Sequence, residues 1–347
     1  LKNVNKANSQ MNKTSKKTNK TTKKSTSLFG KMSSGLGSIV GKVGDAVVKF
    51  GMWAGIGGIV YGVTNAVTSL FKNVLKVETA MTEFKIVSDA TEQQLKGIES
   101  SINSLTSNLG ALKSEVAEVS TEFARAGYNI ADSMQLAEQN IIGARVGFTD
   151  MDNVSTILIS SMKAFNLEAK DSKNIINDLF VASKESAVTF QGLGEAIRRS
   201  GNSLQEAGAS YEQSLSLISA ANESVQDPAK VGSALKTIQA RLRGIDKESS
   251  LPKLQGLLNS VNVEIVNAEG GFRNIYDILE DLSTNLKNNN DEFKKQLILE
   301  ELAGKRRANI LAGLINNFGT AEAAVRAIKA GSDLVLVSHS YQQQKNS

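Results

Sequence analysis

The sequence predicts an all-α fold: an elongated helical bundle with coiled-coil segments, a Gly-rich apolar helix and a disordered basic N-terminus. Three observations lead there. Only two prolines, Pro228 and Pro252, interrupt 347 residues, and aromatic residues make up 5% of the chain. A sandwich or barrel would need many more turn residues and aromatic strands. The third observation is an apolar repeat of 3.5 residues that begins at Val77.

The elements follow in chain order. Residues 1–27 hold eight lysines and no acid, so the other 320 residues carry 32 basic and 35 acidic groups. The net charge of +5 therefore belongs to a leader. A Lys/Asn/Thr/Ser run of this kind buries too little apolar surface to order itself, and it lacks the interleaved aromatics of a base-stacking surface. It reads as a solvated leader, without sequence-specific nucleic-acid binding. The chain opens on Leu1, as a fragment of a longer protein is expected to.

Residues 28–75 are expected to form a Gly-rich apolar helical segment, with ten glycines between Leu28 and Val63. The stretch GLGSIVGKV at 35–43 departs from a phosphate-binding loop. Five residues separate Gly35 from Gly41 where four are needed, and Val43 follows Lys42. Within this segment FGMWAGIGGIVYGVTNAVTSLF, residues 50–71, runs 22 positions without a charge. As a helix it is about 33 Å long, enough to span a bilayer core. Gly51 and Gly55, and Gly58 and Gly62, fall four apart and offer a close-packing face, with Trp53 and Tyr61 as interfacial aromatics. The segment is read as a membrane span or a helix-packing element.

Residues 76–330 form the helical core. From Val77 the apolar stripe passes through Met81, Phe84, Leu95, Ile98, Ile102, Leu105, Leu109, Leu112, Val116, Val119 and Phe123 to Ile130. A period of 3.5 is the seam of helices that wrap around one another. Breaks at SNLG (107–110) and ARAGYN (124–129) instead supply Gly caps for shorter bundled helices, and the local expectation is a bundle. Thr91 to Gln94 and Ser210 to Gln213 fit capping boxes. Residues 126–157 and 207–238 echo each other at a spacing of 81, through Ala126-Gly127 and Ala207-Gly208, Ser133 and Ser214, and Thr156-Ile157 and Thr237-Ile238. VEIV at 263–266, ending at NAEGG, is the one stretch expected to form a strand or β-turn. Helical periodicity returns in IYDILEDLSTNL and FKKQLILEELAGKRRANILAGLINNF, where Glu301 and Lys305 are expected to pair at i,i+4. That pairing places Lys305, Arg306 and Arg307 on a helix surface.

Chemistry-bearing patterns are few. There is no cysteine, which excludes disulfides and thiolate sites, and the only histidine is His339. The 35 carboxylates show no spacing that recommends a hydrolase pair. No catalytic residue, metal ligand or cofactor is assigned, and the chain is read as a non-enzyme.

The order of blocks carries more than any one of them. After the basic leader and the Gly-rich stretch come VETAMTEFKIVSDATEQQL, EVAEVSTEFARAGYNIADSMQL, VSTILISSMKAFNL, LGEAIRRSGNSLQEAGASYEQSLSLISAA, GSALKTIQARL, GGFRNIYDILEDL and LAGKRRANILAGLINNF. Over roughly 76–330 this succession resembles the tail tape measure proteins of long-tailed, siphovirus-type phages and prophages. The resemblance implies a structural virion protein in the tail tube lumen, present in the host cytoplasm during assembly. It also implies a ruler and scaffold for the tail tube protein, with tail assembly chaperones and copies of itself as partners. Contact with the host membrane during genome ejection is implied as well. Residues 331–347 abandon the helical continuation and read as an aberrant or truncated end. The rival readings are a membrane-active helical pore protein unrelated to tails, and a cell-wall hydrolase.

Overall fold

A computed structural model describes residues 75–246 and 250–330. The leader 1–27, the run 50–71 with Gly51, Trp53, Gly55, Gly58, Tyr61 and Gly62, and the end 331–347 lie outside the described residues. The chain divides into two units, 1–78 and 79–347.

Helices make up nearly all of the described part of the second unit. Helix α1 covers 75–88. It is followed by α2 (Glu92–Leu109), α3 (Lys113–Arg125), α4 (Ile130–Val146), α5 (Met151–Phe165), a 3-10 turn (Ala169–Asp171), α6 (Ser172–Lys184) and α7 (Phe190–Glu206). Then come α8 (Tyr211–Val225), α9 (Pro228–Leu242), α10 (Leu251–Asn259), α11 (Ile275–Lys287), α12 (Glu292–Ala303), α13 (Ala308–Asn316) and α14 (Phe318–Ala330).

Short polar residues start these helices. The side chains of Thr91, Asn129, Asp150, Thr189, Ser210, Asp227 and Asp291 each accept a backbone N–H three residues on. Each such cap satisfies one orphan donor and contributes about 1 kcal/mol. Both expected capping boxes are formed, Thr91 with Gln94 and Ser210 with Gln213. Pro228 sits in the first turn of α9, where its missing N–H costs nothing.

The stripe from Val77 to Ile130 is not one seam. The chain breaks after residue 88, at Gly110 (φ 65°) and at Ala126-Gly127, so the repeat is shared among α1, α2, α3 and the start of α4. Phe84, Ile98, Ile102, Leu109, Val116, Val119 and Phe123 are buried. Val77, Met81, Leu95 and Leu105 are half-buried. Leu112 is 56% exposed and departs from the stripe. It precedes α3 in an extended conformation (ψ 144°), which takes its side chain out of helical phase. Shared in this way, the repeat builds a bundle and not a supercoil.

The echo at 81 residues corresponds to a repeated backbone motif. Tyr128 N–H donates to the Phe123 carbonyl and Gly127 N–H to Ala124; Ala209 donates to Leu204 and Gly208 to Gln205 in the same register. Both turns place their glycine at positive φ, 98° for Gly127 and 87° for Gly208, where a Cβ would be strained.

Helix α8 is central. Residues 214–222 are all buried, because α8 packs against α6, α7, α9, α11, α13 and α14. A helix covered on all sides is apolar all round or carries small hydroxyls that bond their own turn. Accordingly Leu215, Leu217 and Ile218 fill it, while Ser214 and Ser216 donate to the carbonyls of Ser210 and Gln213. Backbones approach closely where glycine permits: a Cβ on Gly232 of α9 would lie 2.7 Å from the Ala196 carbonyl of α7.

Among the described residues the only β-pairing is an isolated antiparallel bridge, Val266 to Phe272, within the stretch expected to turn. It is closed by the Asn267 carboxamide, whose Oδ1 accepts from Gly271 N–H at 2.7 Å. The expected helix surface at Lys305–Arg307 is corrected. Gly304 adopts φ 81°, α12 ends at Ala303, and the basic triplet lies in the turn before α13. Glu301 pairs with Lys253 of α10 at 2.7 Å.

Candidate functional site

A charge inside an apolar helix face marks the site. In α6, Ile175, Ile176, Leu179 and Val181 point inward and are buried, and Asp178 is carried in with them at 7% exposure. Its carboxylate receives one side-chain contact, from Asn177 Nδ2 at 3.4 Å. Burial, reinforced by the charge of Glu212, pushes the Asp178 carboxyl up to about 7.

Asp178 lines a cavity of about 530 Å³. Phe165 and Leu167 at and just after the end of α5, Asp171, Asn174 and Ile175 of the 3-10 turn and α6, and Gln205 and residues 208–212 of the α7–α8 turn complete it. The Gly208 turn and the Ser210 capping box therefore place Tyr211 and Glu212 opposite Asp178. Tyr211 is 5% exposed, its ring meets Phe165 edge-on at 5.3 Å, and its hydroxyl, beside that of Ser161, has no hydrogen-bond partner. Burial above all, and the nearby Asp178 charge, raise this phenol. From outside, Asn274 fixes the same turn by donating through Nδ2 to the Gly208 carbonyl at 2.9 Å and to Gln213 Oε1 at 3.0 Å.

Two other cavities differ in character. One of about 970 Å³ lies among α1 to α4, and no charged side chain lines it. The other, about 520 Å³, is lined by Glu195, Arg198 and Asp227; Glu195 pairs with Arg198 and Asp227 with Lys230. Among the described residues no group of His, Asp and Glu is arranged to hold a metal ion. No helix there is long and apolar enough to cross a membrane. The proposed membrane segment 50–71 lies outside those residues.

The sequence reading missed Asp178, Tyr211 and Glu212. The signal available was an acid interrupting the apolar run INDLFV, four residues after Asn174 and one before Leu179.

Among the described residues the chain is a packed all-α bundle with side-chain caps at most helix starts and one isolated β-bridge. The chain belongs to the phage-related minor tail protein family, whose model matches residues 99–304, from within α2 to the end of α12. It is a component of the phage tail, and the pore reading unrelated to tails is set aside. No solved structure matches the chain.

Proposed function

We propose that the chain is a tape measure: tail tube subunits polymerise around it in the tail lumen, and its length sets the length of the tail. The family match over 99–304 together with the ordered helical blocks supports this reading. The longest described helix, α2, has 18 residues, about 27 Å at the usual rise per residue. Helices α2 to α14 therefore serve as a packed scaffold to which tube subunits and assembly chaperones attach, while the total length of the chain provides the ruler. Copies of the chain associate in the tail, and the uncharged run 50–71 enters the host membrane at ejection. Deleting the gene should leave tube protein without tails of defined length, and supplying the gene in trans should restore them. Tails of normal length in the deletion contradict the proposal.

A further inference from the structure

We propose that the cavity between α5, α6 and the α7–α8 turn binds an alkylammonium group, the chemistry of a lysine side chain or a free polyamine. Three carboxylates line it, Asp171, Asp178 and Glu212, and no lysine or arginine does. Asp171 already accepts the Glu168 N–H at 2.9 Å, and Glu212 accepts the Ser210 hydroxyl at 2.5 Å. Asp178 has only the 3.4 Å amide contact, although a buried carboxylate without a counter-charge is costly. The buried Tyr211 hydroxyl lies beside the Ser161 hydroxyl, makes no close hydrogen bond, and keeps an oxygen lone pair that can accept an N–H.

The rest of the lining fits the same ligand. Phe165 and Tyr211 give the cavity an aromatic wall, and Leu167 and Ile175 add apolar surface for a methylene stem. The carboxylates are not arranged to hold a metal ion, which favours an organic cation that spans between them. An anion is disfavoured, since Ser210 caps α8 and Glu212 occupies its first turn. At about 530 Å³ the cavity has the size of a small-molecule or side-chain site.

The test titrates three compounds into the full chain at pH 8: Nα-acetyl-lysine methylamide, 1,5-diaminopentane, and the Nε-acetylated form of the first. Amide shifts of Asn174, Asp178, Tyr211 and Glu212 report binding. Saturable shifts are expected with the two ammonium compounds and not with the neutral one, and Asp178→Asn should weaken them at least tenfold. Tighter binding of the blocked lysine identifies a protein side chain as the source; tighter binding of the diamine identifies a polyamine. Absence of saturable shifts with both ammonium compounds overturns the proposal. So does equal binding by an Asp178→Asn chain that keeps the wild-type circular dichroism. Should that variant misfold, Glu212→Gln on the cavity rim must weaken binding several-fold, and unchanged affinity there overturns the proposal equally.

Discussion

Arg241 Nε lies 2.8 Å from Asp246 Oδ2, and the same guanidinium donates through Nη1 to the Glu301 carbonyl at 2.8 Å. One buried cation thus closes the end of α9 on its own following turn and caps the last turn of α12, some sixty residues away in sequence. Truncation at this position leaves Asp246 and the α12 carbonyls without the guanidinium. Arg241→Ala should lower the unfolding free energy by about 3 kcal/mol, read as a lower urea midpoint by circular dichroism. An unchanged midpoint would show that the contact contributes nothing net.

Glycine at the α7–α9 crossing gives a second prediction. A Cβ at Gly232 meets backbone atoms of Ala196 at 2.7 and 3.0 Å, so neither helix can yield by a rotamer change. At Gly256 in α10 an added Cβ meets nothing within 4 Å. Gly232→Ala should destabilise by roughly 1–3 kcal/mol, whereas Gly256→Ala should stabilise by up to about 1 kcal/mol. The two thermal midpoints should move in opposite directions; movement in the same direction would contradict the packing argument.

Helix starts were readable because Thr91–Gln94 and Ser210–Gln213 satisfy backbone donors locally, with no help from the rest of the chain. Gly110, Gly127 and the bend after VEIV were readable for the same reason. The 3.5-residue stripe alone did not separate a seam from a bundle, because apolar periodicity records which residues are buried and not whether one helix carries them; the Gly breaks favoured the bundle. Leu112 fits the period yet lies outside the helices. Lys305 fits an i,i+4 pair only while helix continues, and Gly304 ends it. Asp178 and Tyr211 meet through tertiary packing of α6 against the start of α8, which no local pattern encodes.

The buried carboxyl of Asp178 predicts a pH dependence with a definite sign. Its folded value of about 7 stands above the ordinary 3.8, so between those values the unfolded chain releases a proton that the folded chain keeps. This group's contribution therefore falls as pH rises from about 4 to 7 and is level above that. Asp178→Asn should be close to neutral near pH 4 and should stabilise at pH 8 by up to about 4 kcal/mol. Urea midpoints at the two pH values check this, and a variant less stable than wild type at pH 8 contradicts it.

The segment 50–71 gives a prediction from sequence. Arginine at Gly58, near the centre of the uncharged run, costs about 2.5–3.5 kcal/mol for insertion. Phage carrying Gly58→Arg should build tails of normal length and deliver DNA poorly, and the matching peptide should lose vesicle binding. Failed assembly, with no vesicle affinity of the wild-type peptide, would make the segment a packing helix.

In the proposed ruler role, chain length sets tail length. Its most direct measurement is the tail-length distribution, by electron microscopy, of phage carrying in-frame deletions of whole heptads in the gene. Deletions of helical heptads from the intact gene that leave α2 to α14 whole should shorten tails in proportion to the residues removed, whereas deletions inside α2 to α14 should break the packed scaffold and abolish tails. Tails of unchanged length after deletions of the first kind would contradict the account.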